Sequence, residues 1–237
     1  MLKNSSRNSF IPGQAPSLSL MKEVLHTYLY FFKYVLFTWV PLAALVVIYP
    51  HGALHLSING LNTSAGDVFF QYFTYLGDGI MVMVFLPLLL FFARRHVLEL
   101  MVGFIISSLL AQSLKRLFKA PRPVEYFKDL PPEEALHLVD DLKYNHWHSF
   151  PSGHTCTAFF LGGLVCVIWL KDRRLATLGV VLLCWLVGFS RVYLSQHFLA
   201  DVVAGAFLGV TSLYLTLLIS RKWHQPSWEK PLVAIRK

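Results

Sequence analysis

Long uncharged apolar runs alternate with short polar segments along most of the chain. The runs cover residues 34–66, 79–93, 100–114, 155–170, 175–190 and 202–220. A helix needs about 20 apolar residues to cross a bilayer, and about 17 is the lower limit, which the shorter runs reach when their polar ends are included. The pattern predicts an all-α fold, a bundle of six transmembrane helices over residues 28–49, 78–94, 97–115, 153–171, 175–192 and 200–220.

The sequence on either side of this membrane domain (28–220) is polar. Residues 1–27 are rich in Ser and contain Pro12 and Pro16, which predicts a flexible cytoplasmic tail. This tail does not resemble a secretory signal, because a long polar stretch precedes the first apolar run. Residues 221–237 are predicted to form a second cytoplasmic tail.

The amino-acid composition also indicates a membrane protein. Hydrophobic residues make up 55% of the 237 positions and charged residues 14%, whereas soluble domains carry about 25% charged residues. The chain is therefore too poor in charge to cover a soluble globule and too hydrophobic to be disordered. The net charge of +8 indicates cytoplasmic loops and contacts with anionic lipid headgroups rather than with nucleic acid.

The distribution of Lys and Arg predicts the orientation of the bundle. Six spans place both termini on one side, and 14 of the 21 basic residues lie on that side. Short cytoplasmic loops carry an excess of Lys and Arg, so both termini are predicted to be cytoplasmic. The main loop on the opposite side covers residues 116–152. Its prolines and acids at 131–134 predict a small helix, because both suit a first helical turn.

Two cations are expected to converge at the end of the third span. Lys115 ends this span, and Pro121 and Pro123 prevent a simple continuation of the helix, so Arg122 should turn back over the helix end. Arg191 has a similar position at the end of the fifth span. Snorkelling to the membrane surface is the ordinary role of a cation near a span end. This role remains open for Arg116, Lys119, Lys128 and Lys143.

The remaining candidate residues lie near the start of the fourth and sixth spans. Ser152 is a good N-cap, Gly153 lets a ligand approach the backbone, and the free N–H groups of a helix N-terminus suit a phosphate. His154 follows directly. His197 and Asp201 are four residues apart, which predicts a shared helix face on which the carboxylate holds the imidazole in one tautomer. In the predicted topology all of these residues fall on the non-cytoplasmic side at similar depth.

Together these residues resemble the signature of the type 2 phosphatidic acid phosphatases, a superfamily that includes lipid phosphate phosphatases and vanadium haloperoxidases. The signature reads Lys-x6-Arg-Pro, then Pro-Ser-Gly-His, then Ser-Arg-x5-His-x3-Asp, and all eleven positions are filled in order at 115–123, 151–154 and 190–201. The six-span layout extends the resemblance to about residues 28–220. One such motif would be a weak indication, but three in register are strong.

The resemblance implies a role for each motif residue. His197 would be the nucleophile that forms a phosphohistidine, and Asp201 would orient it. His154 would protonate the leaving alkoxide and then activate water. Lys115, Arg122 and Arg191 would bind the phosphoryl oxygens together with Ser152 and the Gly153 N–H. No cofactor or metal is expected, because these cations and the helix N-terminus can stabilise the transferring group.

The function expected is that of a lipid phosphatase in the cell inner membrane, with its site on the outer face. The substrate would be a phosphorylated membrane lipid: a polyprenyl diphosphate, phosphatidylglycerophosphate, phosphatidate or lipid A. A phosphotransferase that passes the phosphoryl group to a lipid or sugar is the alternative, and the sequence does not separate the two. A transporter would be favoured by inverted hydropathy repeats, and none is evident. The oligomeric state is not predicted.

Three further features have more than one interpretation. His146 and His148 could bind a metal, but a third ligand is not evident, and a polar rim near the site is favoured. Asp78, between two glycines, is favoured as a helix cap over a catalytic role. The aromatic stretch 50–76 is expected to form an interfacial helix on the outer surface, which either anchors the protein or guides lipid tails.

Overall fold

The computed structural model describes residues 18–129, 131, 136–170, 173–220, 228, 230 and 231. Within these residues the chain forms nine α-helices. These are α1 Leu18–Ile48, α2 His51–Asn59, α3 Ser64–Phe73, α4 Ile80–Leu89, α5 Arg94–Phe118, α6 Pro123–Tyr126, α7 Gly153–Val165, α8 Arg174–Tyr193 and α9 Leu199–Ser220. A 3-10 turn, Thr74–Gly77, joins α3 to the bend before α4, and a π-helical turn, Cys166–Leu170, continues α7.

The predicted all-helical membrane bundle is confirmed. Within the described ranges, five helices are long and apolar enough to cross a membrane: Tyr28–Ile48 of α1, α5, α7 with its π turn, α8 and α9. A sixth span is obtained when Ser64–Gly77 and Ile80–Leu89 are taken together, although a bend of 54° separates them. The second span is thus not the single helix predicted over 78–94: it begins at Ser64, is interrupted by the extended backbone of Asp78 and ends at Leu89.

Other boundaries also differ from the sequence prediction. Helix α1 begins at Leu18, so helical structure extends ten residues into the segment predicted as a tail; the rest of that tail and nearly all of 221–237 lie outside the described residues. Helix α5 continues three residues past Lys115 and ends where Lys119 adopts a left-handed backbone with φ of 45°. Of the small helix predicted from residue 131, residues 132–135 lie outside the description, and 136–139 are not helical. The loop instead carries α6.

Helix α7 lies at the centre of the bundle and packs against α5, α8 and α9. The core around it is aromatic and aliphatic, with Phe31, Phe159, Phe160 and Leu213 all fully buried. The outer surface of the bundle exposes large apolar side chains such as Phe37, Val47 and Leu175, as expected of helices that face lipid acyl chains.

Glycines allow α9 to approach α7 at the end that carries the motifs. A Cβ atom on Gly205 would collide with the carbonyl oxygen of Ser152, and one on Gly209 would collide with that of Cys156. The amide of Ser152 also donates a 2.9 Å hydrogen bond to the carbonyl oxygen of Asp201. Close packing at Gly205 and Gly209 therefore brings the N-termini of α7 and α9 side by side.

The aromatic stretch before α4 forms two helices, α2 and α3, rather than one interfacial helix. Phe69 and Tyr72 of α3 are exposed, and Tyr193 of α8 holds α3 in place by donating a 2.9 Å hydrogen bond to Asp67. His137 lies 2.9 Å from the other oxygen of Asp67, which fastens the long loop to the same helix.

Candidate active site

A single cavity at one end of the bundle contains most of the predicted site residues. Its volume is about 720 Å³, and it is lined by Gln112, Lys115, Arg116, Arg122, Asn145, His146, Trp147, His148, Gly153, His154, Arg191, Gln196 and His197. These residues come from α5, the loop after it, the start of α7, the end of α8 and the turn before α9. The predicted convergence of the three motifs is therefore present in the fold.

Three buried cations face this cavity. Lys115, in the last turn of α5, donates a 2.7 Å hydrogen bond to the carbonyl oxygen of His148. Arg191, in the last turn of α8, donates to the hydroxyl of Thr74 at 2.8 Å. Their hydrogen-bond acceptors are uncharged, so these bonds do not neutralise the two cations; the carboxylate of Asp78 acts on Arg191 and that of Asp201 on Lys115.

Arg122 caps α6 after the turn at Pro121, as predicted from the two flanking prolines. Its guanidinium donates to the carbonyl oxygen of Gln196 at 2.9 Å, to the side-chain oxygen of Gln196 at 3.2 Å and to the carbonyl oxygen of Trp147 at 3.2 Å. Burial lowers the pKa of Arg122, but an arginine remains cationic at any physiological pH. These contacts fix the guanidinium next to the turn that carries His197.

The N-terminus of α7 opens toward the cavity. Ser152 is the N-cap, and its hydroxyl accepts from the amide of Thr155 at 3.4 Å. Ser152 is fully buried, and its hydroxyl also accepts from that of Thr155 at 2.9 Å; the phosphate contact expected of it stays a prediction. Gly153 has no heavy atom within 4 Å of the place where a Cβ would lie, and a ligand can approach its backbone N–H directly.

His197 and Asp201 are in contact, but not on one helix face as the spacing predicted. Helix α9 begins only at Leu199, so His197 lies in the preceding turn, where Ser195 has a left-handed backbone with φ of 52°. Nδ1 of His197 lies 3.4 Å from Oδ2 of Asp201 in a hydrogen bond. The same oxygen accepts from the amide of Phe198 at 2.9 Å. Because Nδ1 is held by the carboxylate, Nε2 is the nitrogen available for nucleophilic attack.

The surroundings of His197 favour its neutral form. It is 2% exposed, and burial is the main cause that lowers its pKa well below the usual range. The charges of Arg122, Lys115, Arg191 and His154 lower this pKa further, in that order. A neutral imidazole has a free lone pair, which a nucleophile requires.

His154 stands in the first turn of α7 on the same cavity. Its Nε2 lies 3.3 Å from Oδ2 of Asp78, in the bend that precedes α4. The other oxygen of Asp78 accepts from the amide of Ile80 at 3.0 Å, so Asp78 satisfies the first amide of α4 from the position before the N-cap residue Gly79. Asp78 therefore both caps α4 and pairs with a predicted catalytic residue.

Sequence reasoning did not identify two further residues of the site. The hydroxyl of Ser149 donates to Oδ2 of Asp201 and lies 3.4 Å from Nδ1 of His197. The side chain of Gln196 joins Arg122 to the carbonyl oxygen of Lys143, to which it donates at 3.2 Å. Neither residue has a spacing or charge that marks it in the sequence, because its role depends on contacts between distant segments.

His146 and His148 lie on the cavity wall, as the polar-rim interpretation proposed. Nδ1 of His146 pairs with Glu125 at 3.0 Å, and Nδ1 of His148 contacts the carbonyl oxygen of Lys115 at 2.9 Å. Within the described part of the chain, no group of three or more His, Cys, Asp or Glu side chains is arranged to hold a metal ion.

Comparisons with known proteins agree with the motifs. The sequence matches the PAP2 superfamily over residues 96–225. It is 33% identical over 121 residues to the bacitracin transport permease protein BcrC of Bacillus licheniformis, which covers 50% of this chain and 53% of BcrC. It is 26% identical over 181 residues to lipid phosphate phosphatase delta of Arabidopsis thaliana, covering 71% of this chain and 42% of that protein.

Among solved structures, the crystal structure of LpxE from Aquifex aeolicus superposes with a TM-score of 0.59 at 32% identity, covering 70% of this chain and 93% of LpxE. The chain spans about half the length of the two curated relatives described above, 53% of one and 42% of the other. The family match includes more than half of the chain and contains every motif residue. The protein therefore belongs to the PAP2 superfamily.

Proposed function

We propose that the protein is an integral membrane phosphatase that removes a terminal phosphate from a membrane lipid. The observation that carries this proposal is the convergence of three buried cations and two imidazoles on one cavity. The relative named as a lipid phosphate phosphatase supports a lipid substrate. A cavity at the end of a membrane bundle also suits a lipid, whose headgroup can enter while its tails remain in the bilayer.

The reaction proceeds in two steps through a phosphohistidine. Nε2 of His197 attacks phosphorus, and the bond between phosphorus and the lipid oxygen breaks as the bond to nitrogen forms. His154 donates its proton to the departing oxygen. His154 then takes a proton from water, the resulting hydroxide attacks the phosphohistidine, and inorganic phosphate leaves with the electron pair returned to His197.

The cations and the helix N-terminus lower the barrier by stabilising charge. Lys115, Arg122 and Arg191 contact the non-bridging phosphoryl oxygens, and the Gly153 N–H donates to one of them. Phosphoryl transfer depends mainly on positioning and on such electrostatic stabilisation. The residues present suit a reaction without a divalent metal, since the three side chains already supply the positive charge.

The excess of Lys and Arg on the opposite side of the bundle supports an outward-facing site. In this orientation both termini are cytoplasmic, and the protein lies in the inner membrane. The substrate phosphate would then be removed at the outer leaflet.

The test is phosphate release by the full chain in detergent, with EDTA present and no added acceptor, over a panel of lipid monophosphates and diphosphates. We expect release by the wild type and none by His197→Ala. Activity that disappears in EDTA would contradict metal independence, and release only after an acceptor is added would identify a phosphotransferase. If no phosphate is released, transport by the chain reconstituted in vesicles would favour the function in the name of the BcrC relative.

A further inference from the structure

Asp78 lies outside the three motifs, 76 positions before its partner in the chain, yet its Oδ2 is 3.3 Å from Nε2 of His154. We propose that Asp78 is a positioning residue for the reaction: it holds Nε2 of His154, so that Nδ1 exchanges the proton with the leaving oxygen and then with water. This inference rests on the proposed function, in which His154 is the general acid. A histidine held by a carboxylate at one nitrogen can transfer a proton at the other.

The position of Asp78 is fixed from several sides. Its Oδ1 accepts from the amide of Ile80 at 3.0 Å, which sets the direction of the carboxylate. The preceding Gly77 is pressed against α7, where a Cβ atom would collide with the carbonyl oxygen of His154. Thr74 of the same 3-10 turn accepts from Arg191 at 2.8 Å. The turn is thus fastened to both α7 and α8, and it presents the carboxylate on a rigid support.

The electrostatic surroundings give this carboxylate a specific task. Arg191 of α8, Arg122 of the loop after α5 and Lys115 of α5 line the same cavity as His154, and His197 lines it from the turn before α9. The three positive charges oppose protonation of His154 by Coulomb repulsion, whereas a general acid must be protonated. The Asp78 carboxylate offsets part of this repulsion before the substrate binds, and the bound phosphate offsets more.

The substitution Asp78→Asn removes the charge and keeps the cap. Asn is as good an N-cap as Asp, and its side-chain oxygen can accept from Ile80 in the same way. A loss of activity in this variant therefore reports on the charge of Asp78, which faces His154 and also acts on Arg191, rather than on the start of α4.

The experiment compares two phosphate monoesters that differ in their leaving group, an alkyl phosphate and p-nitrophenyl phosphate. The alkoxide needs a proton to depart, whereas the nitrophenolate departs without one. We expect Asp78→Asn to lower kcat/KM for the alkyl ester by about tenfold to 100-fold, within the contribution of general acid catalysis. This quantity is used because kcat/KM reports formation of the phosphohistidine, whereas hydrolysis of the phosphohistidine is common to both esters and contributes to kcat. The loss for the aryl ester should be several times smaller. The basic limb of the alkyl pH profile should move to lower pH.

A second Asp–His pair offers a matched control. Asp67 of α3 lies 2.9 Å from His137, away from the residues that line the cavity. Asp67→Asn should change kcat/KM by the same factor for both substrates, because this residue can affect the reaction only through the stability of the fold. In the double variant Asp78→Asn/His154→Asn, alkyl phosphatase activity should fall no further than in His154→Asn alone.

The outcomes separate the two proposals. A wild type that releases no phosphate from either ester or from lipids would refute the proposed function and the role of Asp78 with it. The role of Asp78 alone would be refuted if the wild type is active and Asp78→Asn lowers kcat/KM equally for both esters, or for neither. Thermal unfolding in detergent shows whether each variant is folded.

Discussion

The hydroxyl of Ser149 donates a hydrogen bond to Oδ2 of Asp201 and lies 3.4 Å from Nδ1 of His197. All three side chains are buried. Ser149 lies near the end of the long loop between α5 and α7. Ser149 thereby connects the loop to the two residues that the sequence motif places next to each other.

Replacement of Ser149 by Ala should weaken the orientation of His197. Asp201 would lose one hydrogen-bond donor in a buried site, a change that typically costs about 1–3 kcal/mol. We expect kcat to fall by about tenfold, since 1.36 kcal/mol corresponds to a factor of ten, with little change in KM. The measurement is steady-state phosphate release. An equal rise in KM would instead indicate that Ser149 contributes to substrate binding.

Replacement of Arg122 by Lys should show that the shape of the guanidinium matters as well as its charge. Arg122 makes three hydrogen bonds to carbonyl and amide oxygens of Gln196 and Trp147. A lysine ammonium cannot reproduce this fork. We expect kcat/KM for a phosphate ester to fall by more than about tenfold, as is usual when a charge-assisted hydrogen bond is lost. Activity equal to that of the wild type would mean that only the positive charge is needed.

The pH dependence of activity should report the neutral state of His197. Its pKa lies well below the usual value because it is buried among cations, so it stays neutral as the pH falls through about 6.5, where an exposed histidine would become protonated. The acid limb of kcat/KM should therefore lie below pH 6.5, and activity should decline on the basic side as the general acid loses its proton. A profile that is flat from pH 5 to about 9 would contradict two-histidine chemistry.

Stability should depend on pH through His55, which lies on α2 outside the spanning helices. Burial, with a smaller contribution from His51, lowers the pKa of His55 to about 4. In the unfolded chain His55 takes up a proton near pH 6.5, whereas in the folded chain it stays neutral until the pH approaches 4. Its contribution to the free energy of unfolding is therefore complete above about pH 6.5 and is lost as the pH falls toward 4. The melting temperature in detergent should fall over this range. The fall should be smaller in His55→Gln, and an identical fall would exclude His55 as its source.

The parts of the site that the sequence predicts are those that local geometry determines. The prolines around Arg122 force a turn, Ser152 caps the helix that begins after it, and His197 and Asp201 are close because only a short turn separates them. The pairing of Asp78 with His154 and that of Ser149 with Asp201 depend on how distant segments pack. No periodicity or spacing encodes those contacts.

The same distinction applies to the fold. Apolar run length predicted the spanning helices because a bilayer requires a minimum length of apolar sequence. It could not predict that the second span bends by 54° at Gly77–Gly79, because this bend depends on packing of Gly77 against α7. The bend nevertheless has a consequence for the site, since it carries Asp78 to His154.

The approach of α9 to α7 provides a test of how the site is held together. A methyl group on Gly205 would meet the carbonyl oxygen of Ser152, whereas one on Gly179 of α8 would have no heavy atom within 4 Å. Gly205→Ala should therefore destabilise the protein by about 1–3 kcal/mol through overpacking and displace Asp201 from Ser152, lowering activity. Gly179→Ala should be neutral or stabilising by up to about 1 kcal/mol, because Ala favours a helix over Gly. The comparison uses melting temperature and phosphate release for both variants. If Gly205→Ala were as stable and active as Gly179→Ala, close contact between the two helix N-termini would not be what assembles the site.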